Sequence, residues 1–211
     1  LYREEVSPRI DILFDCSDSM SFDSAKRQRA FELLYFCVES ALQMGASLNC
    51  YTLDNDSVNL WPPEFIEAAK APNLKYLNCG DSIRNVPWRA DSLRVWISDL
   101  LFPAAPESML AEIGRGRGRG VLFAIYCSAE ASPDWDGNIE FEDCESGFTR
   151  SHHVSSSLKT RYLDAYKRHF SLWEEESHRH GIRMARIAAE IDFSQALQQE
   201  ALPQGALEWR K

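Results

Sequence analysis

Ile10-Asp11-Ile12-Leu13-Phe14-Asp15-Cys16-Ser17-Asp18-Ser19-Met20 is the stretch on which the reading of the whole chain turns. Its first half is short, branched and almost wholly apolar, the pattern of a strand buried on both faces of a parallel sheet, and a helical pattern follows it. The second half is therefore a strand-to-helix turn, of the kind that lines the ligand crevice at the carboxyl ends of strands in open α/β sheets. Asp15, Ser17 and Ser19 fall at alternate positions, so an irregular loop can aim one carboxylate and two hydroxyls at a single point. Such a hard-oxygen set suits Mg²⁺ or Mn²⁺. Asp and Ser are equally the preferred helix caps, and this stretch alone does not choose between the two readings.

A second strand, 93–97, ends in Ser98-Asp99-Leu100, so a second carboxylate stands at the end of a second apolar run. Two acids at adjacent strand ends converge on one crevice, which tips the balance from capping toward a metal. Between the two lie a helix opened by Asp23 and Ser24 and closed by Gly45, and strands 47–53 and 57–61 joined by Asp54-Asn55-Asp56 at hairpin spacing. That hairpin puts an antiparallel edge on an otherwise parallel sheet. The helix carries two apolar stripes, Ala30/Leu34/Cys37/Ala41 and Phe31/Leu33/Val38/Leu42, and is expected to be buried on much of its circumference. Pro62 and Pro63 start a short helix over 64–70, and Cys79-Gly80-Asp81-Ser82 sits in the least regular part of the chain.

Further on, a helix over 106–113 is followed by Gly114-Arg115-Gly116-Arg117-Gly118-Arg119-Gly120. This run precedes the strand 121–127 and so lies at the opposite edge of the sheet from the strand-end acids. It reads as a flexible basic turn with some capacity for an anionic partner, not as a phosphate loop. Residues 138–142 alternate like a strand and 143–147 form a turn. Residues 158–180 form an amphipathic helix with Tyr162, Tyr166, Phe170 and Trp173 on one face, read as core. A strand over 182–189 and a helix over 194–202 capped by Ser194 complete the alternation. One α/β domain spanning 1–211 is the expectation, with a mostly parallel sheet and helices on both faces.

Composition narrows the function classes. The 211 residues are 45% hydrophobic and 26% charged, ordinary for a globular chain, and the formal net charge of −9 argues against nucleic-acid or anionic-membrane binding. No apolar run approaches a membrane span and no leader pattern is read, so a soluble chain is expected. Six widely spaced cysteines without a C-x-x-C pair read as small core residues of a reducing, cytoplasmic compartment. The five histidines gather in the C-terminal third, where His178 and His180 face different sides of a helix; they read as surface residues.

Asp15-x-Ser17-x-Ser19-Met20 followed by Ile97-Ser98-Asp99-Leu100-Leu101 resembles a von Willebrand factor A domain with its metal-ion-dependent adhesion site. Glu130, Asp143-x-Glu145-x-Gly147, and Tyr162 in the aromatic helix before Gly181 bring it closer to the bacterial domain-of-unknown-function family fifty-eight, whose genes often neighbour MoxR-type AAA+ ATPases. The resemblance implies a Rossmann-like fold and a non-enzymatic binding module. It implies that Asp15, Ser17 and Ser19 hold Mg²⁺ or Mn²⁺ directly, with Asp99 contributing directly or through water. An acidic residue of a protein partner, an AAA+ ATPase or its substrate, would complete the coordination. The family's Thr ligand is missing and Gly80-Asp81-Ser82 stands at its place, so either Asp81 or Ser82 substitutes for it or the site is degenerate. Two other readings compete. A haloacid-dehalogenase-type phosphatase also places an Asp after its first strand, but it carries a second Asp where Ser17 stands, and Ser17 cannot act as acid and base near neutral pH. A metal-free scaffold would use Ser17 and Ser19 only as caps.

Overall fold

The Ile10–Phe14 run does form a central strand, because both of its faces meet protein. In the computed structural model, which describes residues 7–54, 57–61, 83–101, 103, 105–144 and 146–208, strand β1 is Arg9–Phe14. Helix α1 (Ser24–Gln43), strands β2 (Ser47–Asp54) and β3 (Ser57–Trp61), strand β4 (Leu93–Ser98) and helix α2 (Pro106–Gly114) follow. Strand β5 (Arg119–Tyr126), the single turn α3 (Ser128–Ala131) and the pair β6 (Gly137–Glu142) and β7 (Thr149–Val154) come next. The long helix α4 (Ser156–Arg179), strand β8 (Arg183–Ala188) and helix α5 (Phe193–Ala196), which runs into a wide turn at Leu197–Ala201, close the chain.

Six strands form one sheet in the order β3-β2-β1-β4-β5-β8, parallel except for the β2–β3 hairpin at one edge. This is a Rossmann-like von Willebrand factor A fold. Side-chain alternation splits the core into two layers. Ile10, Ile12 and Phe14 pack with Leu33, Leu34, Cys37 and Ala41 of α1 and with Leu197 and Ala201 on one face. Leu13, Trp96 and Leu122 pack with Met109, Leu110 and Ile113 of α2 and Phe170 and Trp173 of α4 on the other. Helices on both faces leave no wet side, which is why the parallel strands read as continuous apolar runs.

Chain direction decides where the site lies. From β1 the chain crosses by α1 to β2 on one side, whereas β4 leads by α2 to β5 on the other. The strand order therefore reverses between the neighbours β1 and β4, and the crevice outside their carboxyl ends is the fold's natural ligand position. Asp15 and Asp99 are the residues immediately beyond those ends.

Several expectations are corrected by packing. Helix α1 has one broad buried stripe, not two, since Leu42 is 54% exposed while Lys26 and Arg29 are buried. The Gly/Arg run is a structured clasp over a buried arginine. Arg94 donates to the carbonyls of Glu112, Ile113 and Arg89 and to Ser92, so it caps the carboxyl end of α2. A Cβ on Gly118 would come within 2.6 Å of Arg94 Nη1, and Gly116 takes a left-handed φ of 64°. The N-cap of α5 is Asp192, whose carboxylate accepts from the Ser194 and Gln195 amides, in place of Ser194. Cys144 is exposed, unlike the other described cysteines. Strand β7 pairs with β6 in a separate two-stranded sheet, although its sequence shows no apolar alternation. The expected helix over 64–70, together with Asp81 and Ser82, lies outside the described residues.

Candidate metal centre

Asp15 enters the crevice because β1 ends there: its amide donates to Ile97 O of β4 at 2.9 Å. Its carboxylate turns inward. Oδ1 accepts the Ser17 amide at 2.9 Å and Oδ2 accepts the Ser98 hydroxyl at 2.6 Å, which ties the ends of β1 and β4 together. The Ser17 and Ser19 hydroxyls lie 3.0 Å from each other, so the alternate spacing of the loop does bring both to one place. Neither serves as the N-cap of α1; Asp23 does, accepting from the Ala25 and Lys26 amides. Ser17 stands at the N-cap position of the single turn Asp18–Met20 but makes no side-chain capping bond there. Asp15 is 2% exposed, and burial followed by the charge of Asp99 pushes its pKa up from 3.8 to about 6, against the pull of the Ser98 and Ser17 hydrogen bonds.

Asp99 sits on a strained turn. Leu100 has φ of 59°, a left-handed conformation that costs a β- or γ-branched residue on the order of 1–3 kcal/mol and recurs at functional sites. Three hydrogen bonds hold it: Leu100 N to Ser98 Oγ at 3.0 Å, Leu101 N to Asp99 Oδ1 at 3.0 Å, and His169 Nε2 to Leu100 O at 2.8 Å. A carbonyl partner makes His169 Nε2 the protonated nitrogen.

Lys26 is the residue that sequence reasoning missed. It is fully buried, and its ammonium bridges Asp99 Oδ2 at 2.7 Å and Glu130 Oε1 at 2.5 Å. Burial alone would lower the Lys26 pKa, but the two carboxylates outweigh it and the ammonium is held charged, above its ordinary value. A signal for it existed: Lys26 lies four residues before Ala30, in register with the buried stripe of α1. Glu130 is fixed from three directions, by Lys26, by the Cys127 amide on Oε2 at 3.1 Å, and by Tyr162, whose hydroxyl donates to Glu130 O at 2.8 Å. Burial and then the charge of Glu130 push the Tyr162 hydroxyl up to about 12, so it stays a donor.

The donor chemistry fits a divalent cation. Asp15, Asp99 and Glu130 bring three carboxylates against one ammonium, a surplus of two negative charges, with Asp15, Asp99 and Lys26 buried and Glu130 partly exposed at the edge. Ser17 reaches the Asp15 carboxylate through its amide and its hydroxyl, the Ser19 hydroxyl adjoins that of Ser17, and among the described residues no cationic side chain pairs with Asp15. Among the described residues no group of three or more His, Cys, Asp and Glu side chains has metal-holding geometry, so any ion here depends on the Ser oxygens.

A cleft of about 800 Å³ opens beside Ser19. Phe22, Leu101, Trp135 and Tyr162 give it an apolar lining, and Asp18, Glu130, Glu142 and Asp143 give it acids; Phe22 is 51% exposed. A second hollow of about 370 Å³, against β8 and α4, contains Arg186 and Glu200 but none of the crevice carboxylates.

No family model matches the chain, and no curated protein matches it. Among solved structures, it is similar to an aerotolerance-related membrane protein from Bacteroides fragilis NCTC 9343, with multiple mutations to serines, at a TM-score of 0.50 and 14% identity over 95% of this chain and 98% of that one. A conserved hypothetical protein, BatB from Bacteroides thetaiotaomicron, aligns at a TM-score of 0.47 and 12% identity over 95% and 100% of the two chains. No helix among the described residues of the present chain is long and apolar enough to cross a membrane. At such identity the first likeness concerns the fold alone, and it agrees with the von Willebrand factor A topology of the sheet.

Proposed function

We propose that this chain is a non-enzymatic protein-interaction module whose adhesion-type site takes Mg²⁺ or Mn²⁺ on Asp15, Ser17 and Ser19. The observation that carries the reading is the surplus of two negative charges that Asp15, Asp99, Glu130 and Lys26 leave among the described residues, beside two clustered hydroxyls. When bound, the ion supplies a positive centre on which an acidic side chain of a partner can sit. The chain's own residues do the rest. Ser98 and the Ser17 amide orient the Asp15 carboxylate, and the strained turn at Leu100 fixes Asp99. The neighbouring cleft, apolar with an acidic lining, favours a partner segment that brings apolar and basic side chains next to its one carboxylate. Together with the motif resemblance, this suits a cytoplasmic adaptor or assembly factor working with a MoxR-type AAA+ ATPase.

Affinity purification from cells with and without chelator, followed by identification of the bound proteins, tests the reading. At least one partner is expected to be released by chelator and to be lost in Asp15→Ala. Equal recovery in all arms would overturn the bridging role. A second reading, the metal-free scaffold, is favoured by one observation: Lys26 already places a cation at Asp99. Titration calorimetry separates the two, since the scaffold gives no heat with millimolar Mg²⁺ or Mn²⁺.

A further inference from the structure

We infer that Lys26 is a built-in cation that keeps Asp99 off the metal and so sets the affinity and charge of the site. The inference rests on the proposed metal site. Asp15 and Asp99 end neighbouring strands and are both buried, yet they are treated differently. Among the described residues the donors to Asp15 are neutral, the amide and hydroxyl of Ser17 and the hydroxyl of Ser98. Asp99 Oδ2 is 2.7 Å from the Lys26 ammonium, and its other oxygen accepts the Leu101 amide.

Lys26 has nowhere else to go. Its side chain is fully buried, its amide is fixed by the Asp23 cap, and its second carboxylate, that of Glu130, accepts the Cys127 amide while Tyr162 holds the Glu130 backbone carbonyl. A divalent ion placed directly on Asp99 would lie against this ammonium in a site that water screens poorly, and like charges repel strongly there. The ion is therefore held by Asp15 and the two hydroxyls, with one anionic ligand in place of two. Ligand charge count sets affinity for such cations, so the isolated protein binds weakly. The same deficit leaves the ion more positive and increases its demand for a carboxylate from outside. Lys26 thus trades affinity for the ion against dependence on a partner.

The test is Mn²⁺ binding to the full chain, read by electron paramagnetic resonance, in a cycle of Lys26→Met, Asp99→Asn and the double variant. Lys26→Gln runs in parallel because it keeps a hydrogen-bond donor for Asp99, and circular dichroism checks folding. Removing the charge is expected to tighten Mn²⁺ binding about tenfold. Asp99→Asn is expected to weaken binding about tenfold more in the charge-free background than in the wild type. Equal affinities for wild type and both Lys26 variants, or equal effects of Asp99→Asn in both backgrounds, overturn the inference. Binding seen only once the Lys26 charge is gone supports the inference while overturning the proposed function of the native chain. Absence of binding in every variant overturns both.

Discussion

Asp15 is buried as an anion beside a second anion, with a hydroxyl and an amide as its solvation. Its carboxyl group therefore titrates at about 6 in the fold, against 3.8 for the ordinary group. Between these values the native state binds the extra proton, so the stability linked to this group is full below pH 3.8 and is lost as pH rises through about 6. The loss at neutral pH is at most about 3 kcal/mol. Asp15→Asn keeps the partners, since its amide oxygen can accept from Ser17 and its NH₂ can donate to Ser98 Oγ. The variant is expected to melt higher than wild type at pH 7.5 and to lose that advantage as pH falls toward 5. A pH series of thermal denaturation curves checks this; a constant offset would place the effect elsewhere. Lys26→Ala should act oppositely and cost about 3–5 kcal/mol in denaturant titration, because it strands two buried carboxylates.

The elements hold one another through buried charges that end on backbone carbonyls. Arg94 takes the last carbonyls of α2, while Arg29 of α1 donates to Ala188 O and Ile191 O at the end of β8. Asp11, on β1, accepts from the amide and Nε of Arg89, and the same guanidinium reaches Ile10 O and Ser47 O. Each contact ties a loop to the sheet where apolar packing alone leaves polar groups to satisfy. By contrast, the exposed Arg117–Asp91 pair is worth little. Gly118→Ala tests the clasp over Arg94. Its φ of −63° suits alanine, but the three atoms nearest an added Cβ all belong to the guanidinium, which must move and give up its carbonyls. A loss of about 1–3 kcal/mol in urea denaturation is expected. A neutral result would show that Arg94 is free to leave.

For the whole molecule, metal binding and stability are linked by mass action. An ion that binds only the folded chain at about 100 times its dissociation constant adds about 2.7 kcal/mol, which for a chain of this size raises Tm by roughly 5–10 °C. Addition of Mg²⁺ should raise Tm by that order in the wild type, excess chelator should reverse it, and Asp15→Asn should abolish it. Differential scanning calorimetry with Mg²⁺ and with an ionic-strength control reads the effect. A shift that survives in Asp15→Asn would locate the ion at another place.

What the chain determines locally is its succession of elements and the strand ends that bear Asp15 and Asp99. Apolar periodicity and end signals such as Asp23 and Gly181 are short-range, and they mark β1, α1, the β2–β3 hairpin, β4 and the aromatic helix α4 where the fold has them. The motif spacing likewise singles out Ser17, Ser19, Glu130 and Tyr162, which meet around one crevice and its cleft. Tertiary structure alone decided the rest. Strand β7 is a strand because β6 offers it hydrogen bonds, not because its side chains alternate. The Gly/Arg run is ordered because Arg94 lies beneath it. Lys26 is buried because its two carboxylates lie 73 and 104 residues further along the chain, and a charge can leave water only where such distant partners are already in place.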